Sequence, residues 1–421
     1  MTDHTAVLDA VDRHWDEQVG FLRRLVAHPS VRGATNPVQA AIAEWERDHG
    51  LRVERVGIDV GRLHRLPGFS PVDWSYDGLF NVVGTAAGAG GGRSLVLNGH
   101  VDVVSPEPVG HWAHDPWGGE VADGRMYGRG ACDMKAGVAA ALYALAAVRE
   151  AGLRLRGDVL VQTVIDEECS GNGTLACLDA GHVGDAAIVV EPTGLTLTEA
   201  IPGVLWCRLE VTGQAAHARQ AAGAVNAIDK AYALVSALRR LEDEWNRPPK
   251  LHPSLRGLSH PINFNLGTIH AGDWPSTVPE VCRVELRVGF NPGDEIPDVK
   301  AAVRATIDAA CAEDAWLRET PPLVSFVGFH ADAAVYDLDT PIAATVGERH
   351  AAIVGGGLPR RQPMAATIDN RFFELYYGIP NVCYGPAGDQ LHAPDEWADL
   401  ASVRQVTKVL AATLVEWCGV D

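Results

Sequence analysis

Three short apolar runs decide the fold: Leu95-Val96-Leu97, Val159-Leu160-Val161-Gln162-Thr163-Val164-Ile165 and Ala186-Ala187-Ile188-Val189-Val190. Each is the length of a strand and rich in branched residues, and a helical stretch, Ala136–Arg149, separates the first two. Short apolar runs alternating with helices read as buried strands of an α/β sheet, mostly parallel and flanked by helices. The first run is followed closely by His100, the second directly by Asp166-Glu167-Glu168, and the third by Glu191. Sites in open α/β sheets gather beyond the carboxyl ends of the strands. Three successive strand ends carrying metal-binding residue types are therefore a functional signal.

Working outward, an amphipathic helix is expected from Thr5 to Ala27, a second over Pro37–His49, and a strand over Leu51–Ile58. The glycine-rich Ala86–Gly92 lacks the Gly-Lys-Ser/Thr of a phosphate loop and reads as a strand-to-strand turn. From about Ile201 the texture changes. Strands at Leu205–Val211, Ile262–Ile269, Val281–Val288 and Leu323–Phe329 interleave with helices at Ala224–Trp245 and Pro297–Ala312. That β-α-β-β-α-β order is ferredoxin-like. We therefore expect a catalytic domain formed by residues 1–200 and 331–421, interrupted by an inserted α+β domain over 201–330.

The 421 residues include 35 Lys+Arg against 54 Asp+Glu, a formal charge of −19. Nucleic acids and anionic lipids need clustered cations, so neither is an expected partner. No C-x-x-C pair occurs among the eight cysteines, and no secretory leader or membrane-length apolar run is read. A reduced, cytoplasmic protein is the expectation.

The chemistry rests on blocks far apart in the chain. In Gly99-His100-Val101-Asp102, residues i and i+2 of an extended chain face one way, so the Asp102 carboxylate is expected to orient the His100 ring. Asp133 lies in Gly128-Arg129-Gly130-Ala131-Cys132-Asp133-Met134-Lys135, before a helix, where an ordinary N-cap is the plain alternative. Glu167 and Glu168 sit in the acidic triplet, Glu191 in Glu191-Pro192-Thr193-Gly194, and His392 in Leu391-His392-Ala393-Pro394-Asp395-Glu396. Two histidines and three carboxylates suit a pair of divalent ions better than a soft-metal site. Glu167 is left over as a candidate general base.

This ordered set, with a central Gly213-Gln214-Ala215-Ala216-His217-Ala218, resembles the co-catalytic zinc metallopeptidases, which include acetylornithine deacetylase, succinyl-diaminopimelate desuccinylase, aminoacylase and glutamate carboxypeptidase. The resemblance implies two Zn2+ per subunit, with Co2+ or Mn2+ as alternatives. Asp133 would bridge them, His100 and Glu191 completing one site and Glu168 and His392 the other. It implies a cis peptide after Asp133, a homodimer formed through the inserted lid domain, and His217 reaching the partner's active site to stabilise an oxyanion. The carboxylate-binding arginine of relatives falls at Gly289 here, so Arg287 is the expected substitute. Thr367, Asp369 and Arg371 are further substrate-pocket candidates. The implied reaction is removal of an acyl group from an N-acyl amino acid or related small molecule. Hydrolysis of small peptides, or of N-carbamoyl or N-formyl amides, is the alternative.

Overall fold

The computed structural model describes residues 4–421. Its larger sheet contains β1 (Arg52–Gly57), β2 (Phe80–Ala86), β3 (Leu95–His100), β4 (Val159–Val164) and β5 (Ala187–Val189). The inserted unit supplies β6 (Gly203–Thr212), β7 (Phe264–Ala271), β8 (Val281–Phe290) and β9 (Leu323–Ser325), and the chain then returns with β10 (Asn381–Cys383). The larger sheet runs β1-β2-β4-β3-β5-β10, and its last four strands are mutually parallel. Both β3 and β4 are buried at every position, which is why they read as continuous apolar runs rather than alternating ones.

The glycine-rich stretch does join two strands, yet β2 and β3 are not neighbours, because β4 lies between them. The stretch crosses beside the start of β4, where Ala89 and Gly90 donate to the carbonyls of Leu155 and Arg156. The long N-terminal helix is two helices, Thr5–Arg13 and Trp15–Val26. They part at His14, whose Nδ1 lies 2.9 Å from Glu17 Oε2 and whose Nε2 meets Glu150.

The helix Ala136–Glu150 lies in the core, with all but three of its residues buried. Together with the turn before it, this stretch is long and apolar enough to cross a membrane by length and composition, contrary to the expectation of no membrane-length apolar run. With 89% of the apolar window buried inside the protein, it serves here as a core helix. The helix Leu400–Cys418 packs against it. All eight cysteines are buried and unpaired.

The second sheet has the order β7-β8-β6-β9, antiparallel throughout. With the helices Ala227–Trp245 and Ile296–Glu313 on one face, this is the ferredoxin-like arrangement. Among the described residues two large hydrophobic cores result, one drawn from residues 7–201 and 334–418, the other from 200–317, with a small third cluster of Val204, Phe329 and Ala331.

Candidate metal centre and active site

The parallel strands deliver the acidic groups to one edge. His100 is the last residue of β3, the triplet Asp166-Glu167-Glu168 follows β4, and Glu191 follows β5. Asp133 arrives on the turn before the core helix, and its peptide bond to Met134 is cis.

Asp133 stands between two imidazoles. Its Oδ1 is 3.1 Å from His100 Nε2 and its Oδ2 is 3.5 Å from His392 Nε2. On the first side, Glu191 Oε2 comes within 3.8 Å of His100 Nε2. On the second, Glu168 Oε2 is 3.1 Å from His392 Nε2. The five residues that the sequence marks as ligands thus converge, and His100, Asp133 and Glu168 offer donor atoms close enough for one ion.

The charge balance supports a cationic occupant. Burial alone would lower the pKa of His100, but Glu191, Asp133 and Glu167 outweigh it and hold the imidazole well above its ordinary value. Burial likewise opposes the charge on His392, yet Asp133 and Glu168 lift it to about 10. Burial raises Glu191 well above the usual carboxylate range. Carboxylates that force neighbouring imidazoles to keep a proton form a site short of positive charge, and nitrogen with oxygen donors suits divalent transition ions.

Glu167 stands on the first side, where His100, Glu167 and Glu191 also offer donor atoms close enough for one ion. Its Oε2 is 4.0 Å from His100 Nε2, while its Oε1 is buried without a hydrogen-bond partner. Burial, and next the Asp369 carboxylate, push its pKa well up. A buried carboxylate oxygen left unpaired beside a metal centre is available to take a proton.

Asp102 holds His100 differently from the expectation. His100 Nδ1 lies 2.9 Å from the main-chain carbonyl of Asp102, whereas the carboxylate is 3.8 Å away. That carboxylate instead accepts the backbone N–H groups of Glu167 and Glu168, each at 3.2 Å. The side chain turns toward those amides because the tight turn after β4 points both of them at it.

The pocket candidates divide. Arg287 and Thr367 line the cavity that contains the metal centre. Arg371 does not: it is fully buried, donating to the carbonyls of Ile368 (2.9 Å) and Ser170 (3.2 Å) and pairing with Asp369 at 3.3 Å. Asp369 accepts from Thr174 at 2.5 Å and is likewise buried, reaching the site through its field on Glu167 and Glu191. Both belong to the scaffold, because an arginine with no route to water must spend its donors on carbonyls and a carboxylate. His217 lies exposed on the inserted unit, away from the cavity of its own chain, and its Nδ1 accepts from the Arg219 N–H at 3.2 Å.

One supporting residue lay unassigned inside a quoted block. Glu396 Oε1 accepts the N–H groups of Cys132 and Asp133, both at 3.0 Å. Its Oε2 takes Gly130 N–H at 3.0 Å and Arg129 Nη1 at 2.7 Å. It clamps the turn that presents Asp133. The signal was the acidic end of Leu391–Glu396 paired with a distant arginine, which no local spacing connects.

Comparison with known proteins gives the family. The chain is 29% identical to the N-formyl-4-amino-5-aminomethyl-2-methylpyrimidine deformylase of Bacillus subtilis, over 97% of this chain and 96% of that one. It is 31% identical to a succinyl-diaminopimelate desuccinylase of Methylorubrum extorquens, over 86% and 91%. Among solved structures, the dipeptidase Dug1p of Saccharomyces cerevisiae superposes with a TM-score of 0.81 at 15% identity, over 98% of both chains, a likeness of fold. The model of peptidase family M20/M25/M40 matches residues 96–416, three quarters of the sequence, and the chain belongs to that family of hydrolases.

Proposed function

We propose that the protein removes the acyl group from a small N-acylated amine, in the first instance an N-acyl amino acid. The observation that carries this reading is Asp133 turning one oxygen to each of two imidazoles, with a separate glutamate beside each. His100 and Glu191 would hold one Zn2+, Glu168 and His392 the other, and Asp133 both; Co2+ and Mn2+ suit the same donors. When bound, such ions supply Lewis acidity toward a carbonyl oxygen and toward water.

The chain's own residues do the rest. Glu167 takes the proton of the attacking water at its unpaired oxygen and returns it to the departing nitrogen. Its raised proton affinity suits a group that must serve first as base and then as acid. Asp102 fixes the backbone of the Glu167–Glu168 turn, so the base stays aimed. His217 of the partner subunit stabilises the developing oxyanion. Exposure of His217 and of Trp274, which is 67% exposed on the same unit, supports a homodimer formed there. Eight unpaired cysteines agree with a cytoplasmic location.

A second reading is favoured by the Bacillus subtilis relative, whose name specifies a deformylase: the acyl group is formyl. The test is a panel of formyl-, acetyl-, succinyl- and carbamoyl-amino acids against dipeptides, on protein loaded with zinc, cobalt or manganese. Turnover confined to dipeptides would replace deacylation with peptide hydrolysis.

A further inference from the structure

Glu167 projects from the turn Asp166–Gly171, which is closed by the N–H groups of Ser170 (3.0 Å) and Gly171 (2.8 Å) donating to the Asp166 carbonyl. Asp166 itself has φ +69°, a left-handed conformation that a residue with a Cβ keeps only where its surroundings hold it. Its carboxylate is gripped by the hydroxyls of Tyr76 and Ser170 and by the Cys169 thiol at 3.0 Å. Tyr76 grips this turn alone, with no described hydrogen bond from its side chain to the inserted unit.

The loop that supplies Tyr76 also supplies Ser70, which is fully buried. Asn172 opens the helix that follows the turn, and its side-chain amide locks onto the Ser70 backbone. It accepts the Ser70 N–H at 3.1 Å and donates to the Ser70 carbonyl at 2.9 Å. The Ser70 hydroxyl then donates to the Ser170 carbonyl at 2.8 Å, an oxygen it shares with Arg371 Nη2 at 3.2 Å.

The other side of the same loop holds the inserted unit. Ser70 Oγ accepts the His330 N–H at 3.1 Å, and the Pro71 carbonyl accepts the Gly328 N–H at 2.7 Å. Asp73 Oδ2 accepts from Arg208 Nη1 of β6 at 3.1 Å. His330 begins a two-residue strand paired with β6. Between the two held amides lies Phe329, which lines the cavity of the metal centre.

A hydroxyl has one donor and two lone pairs. Ser70 spends its donor on the turn that carries Glu167 and a lone pair on the strand behind the cavity wall. At 0% exposure, water does not reach it to replace either bond. We infer that Ser70 is a positioning residue: its hydroxyl fastens the Phe329 segment of the inserted unit to the Asp166–Gly171 turn, so that the seating of that unit sets the aim of Glu167. The inference rests on the reading of Glu167 as the base given above. Loss of the hydroxyl leaves the His330 N–H unpaired and the Ser170 carbonyl with Arg371 alone, while the Asn172 bonds keep the loop in place.

Two variants separate fastening from mere support. In metal-free full-length protein, hydrogen exchange followed by mass spectrometry should show Ser70→Ala speeding exchange at Ser170–Gly171 and at His330 together, about 5–10-fold. Tyr76→Phe should speed exchange at Ser170–Gly171 and leave His330 protected. In metal-loaded protein, with the fastest substrate of the acyl-amino acid and dipeptide panel, Ser70→Ala should lower kcat about 10–100-fold, the cost of a small misplacement. KM and metal content should hold. Added to Glu167→Ala, the same substitution should lower kcat no further, since a residue that acts through another is non-additive with it. Exchange unchanged on either side, faster exchange spread over the whole chain, a loss confined to KM, or full multiplication with Glu167→Ala would each overturn the inference. Joint exchange in a protein whose turnover ignores Glu167 would leave the fastening standing and remove the base reading. Dependence on Glu167 without joint exchange would do the reverse.

Discussion

Asp102 offers His100 its main-chain carbonyl, at 2.9 Å from Nδ1, and keeps its carboxylate for the turn after β4. One residue therefore ties a metal-ligand candidate to the proposed base through two different groups.

Asp102→Ala should separate these roles, since the carbonyl survives the substitution. The expected result is a fall in kcat of about 10–100-fold, with metal affinity nearly unchanged. Titration of metal content against activity checks it. A loss of metal as severe as in His100→Ala would show that the carboxylate orients the ring after all.

Glu167→Ala should lower kcat by about 10²–10⁴-fold while both ions remain bound. Elemental analysis alongside steady-state kinetics tests this. Near-normal turnover would remove Glu167 as the base.

The trans role of His217 is open to a mixing experiment. His217→Ala and Glu167→Ala proteins should each be nearly inactive, and refolding them together should restore activity through the one intact site of each mixed dimer. Absence of recovery would remove the histidine from the partner's site.

Glu396→Ala removes the clamp on the Gly130–Asp133 turn and strands Arg129, whose side chain is only 3% exposed. Breaking a buried ion pair from one side costs about 3–5 kcal/mol. Urea unfolding of the metal-free protein should show that loss, and calorimetry should show weakened metal binding. Unchanged values on both counts would make the clamp ornamental.

Glu46 gives a pH dependence remote from the metals. It is buried against Gly84 with neither oxygen hydrogen-bonded, and burial raises its pKa from 4.5 to about 8 despite the lowering influence of Arg47. The native state thus binds a proton that the unfolded chain releases above pH 4.5. This group's contribution is complete below that pH and declines as pH rises, by up to about 1.4 kcal/mol per unit, until it levels off near 8. Glu46→Gln should remove the decline, gaining on the wild type as pH increases from 5 to 8. Parallel stability curves would contradict it.

What the sequence made legible follows from locality. His100, the acidic triplet and Glu191 stand at the ends of apolar strands, so periodicity alone placed them on one sheet edge. The β-α-β-β-α-β order specified the antiparallel sheet of the inserted unit. Other features depended on packing across the chain. Arg371 looked like a pocket residue from its motif, but its burial is set by Ser170 and Asp369, the former two hundred positions away. Likewise, the carboxylate of Asp102 had two possible clients, and only the course of the backbone after β4 decides between them.

The short strands Ala200–Ile201 and Ala334–Val335 are hydrogen-bonded to each other, with Ile201 opposite Ala334. The polypeptide thus departs from and rejoins its first core through a single doorway. Antiparallel partners lie about 4.5–5.5 Å apart at Cα, so a two- or three-residue patch could close the gap if everything between were cut away.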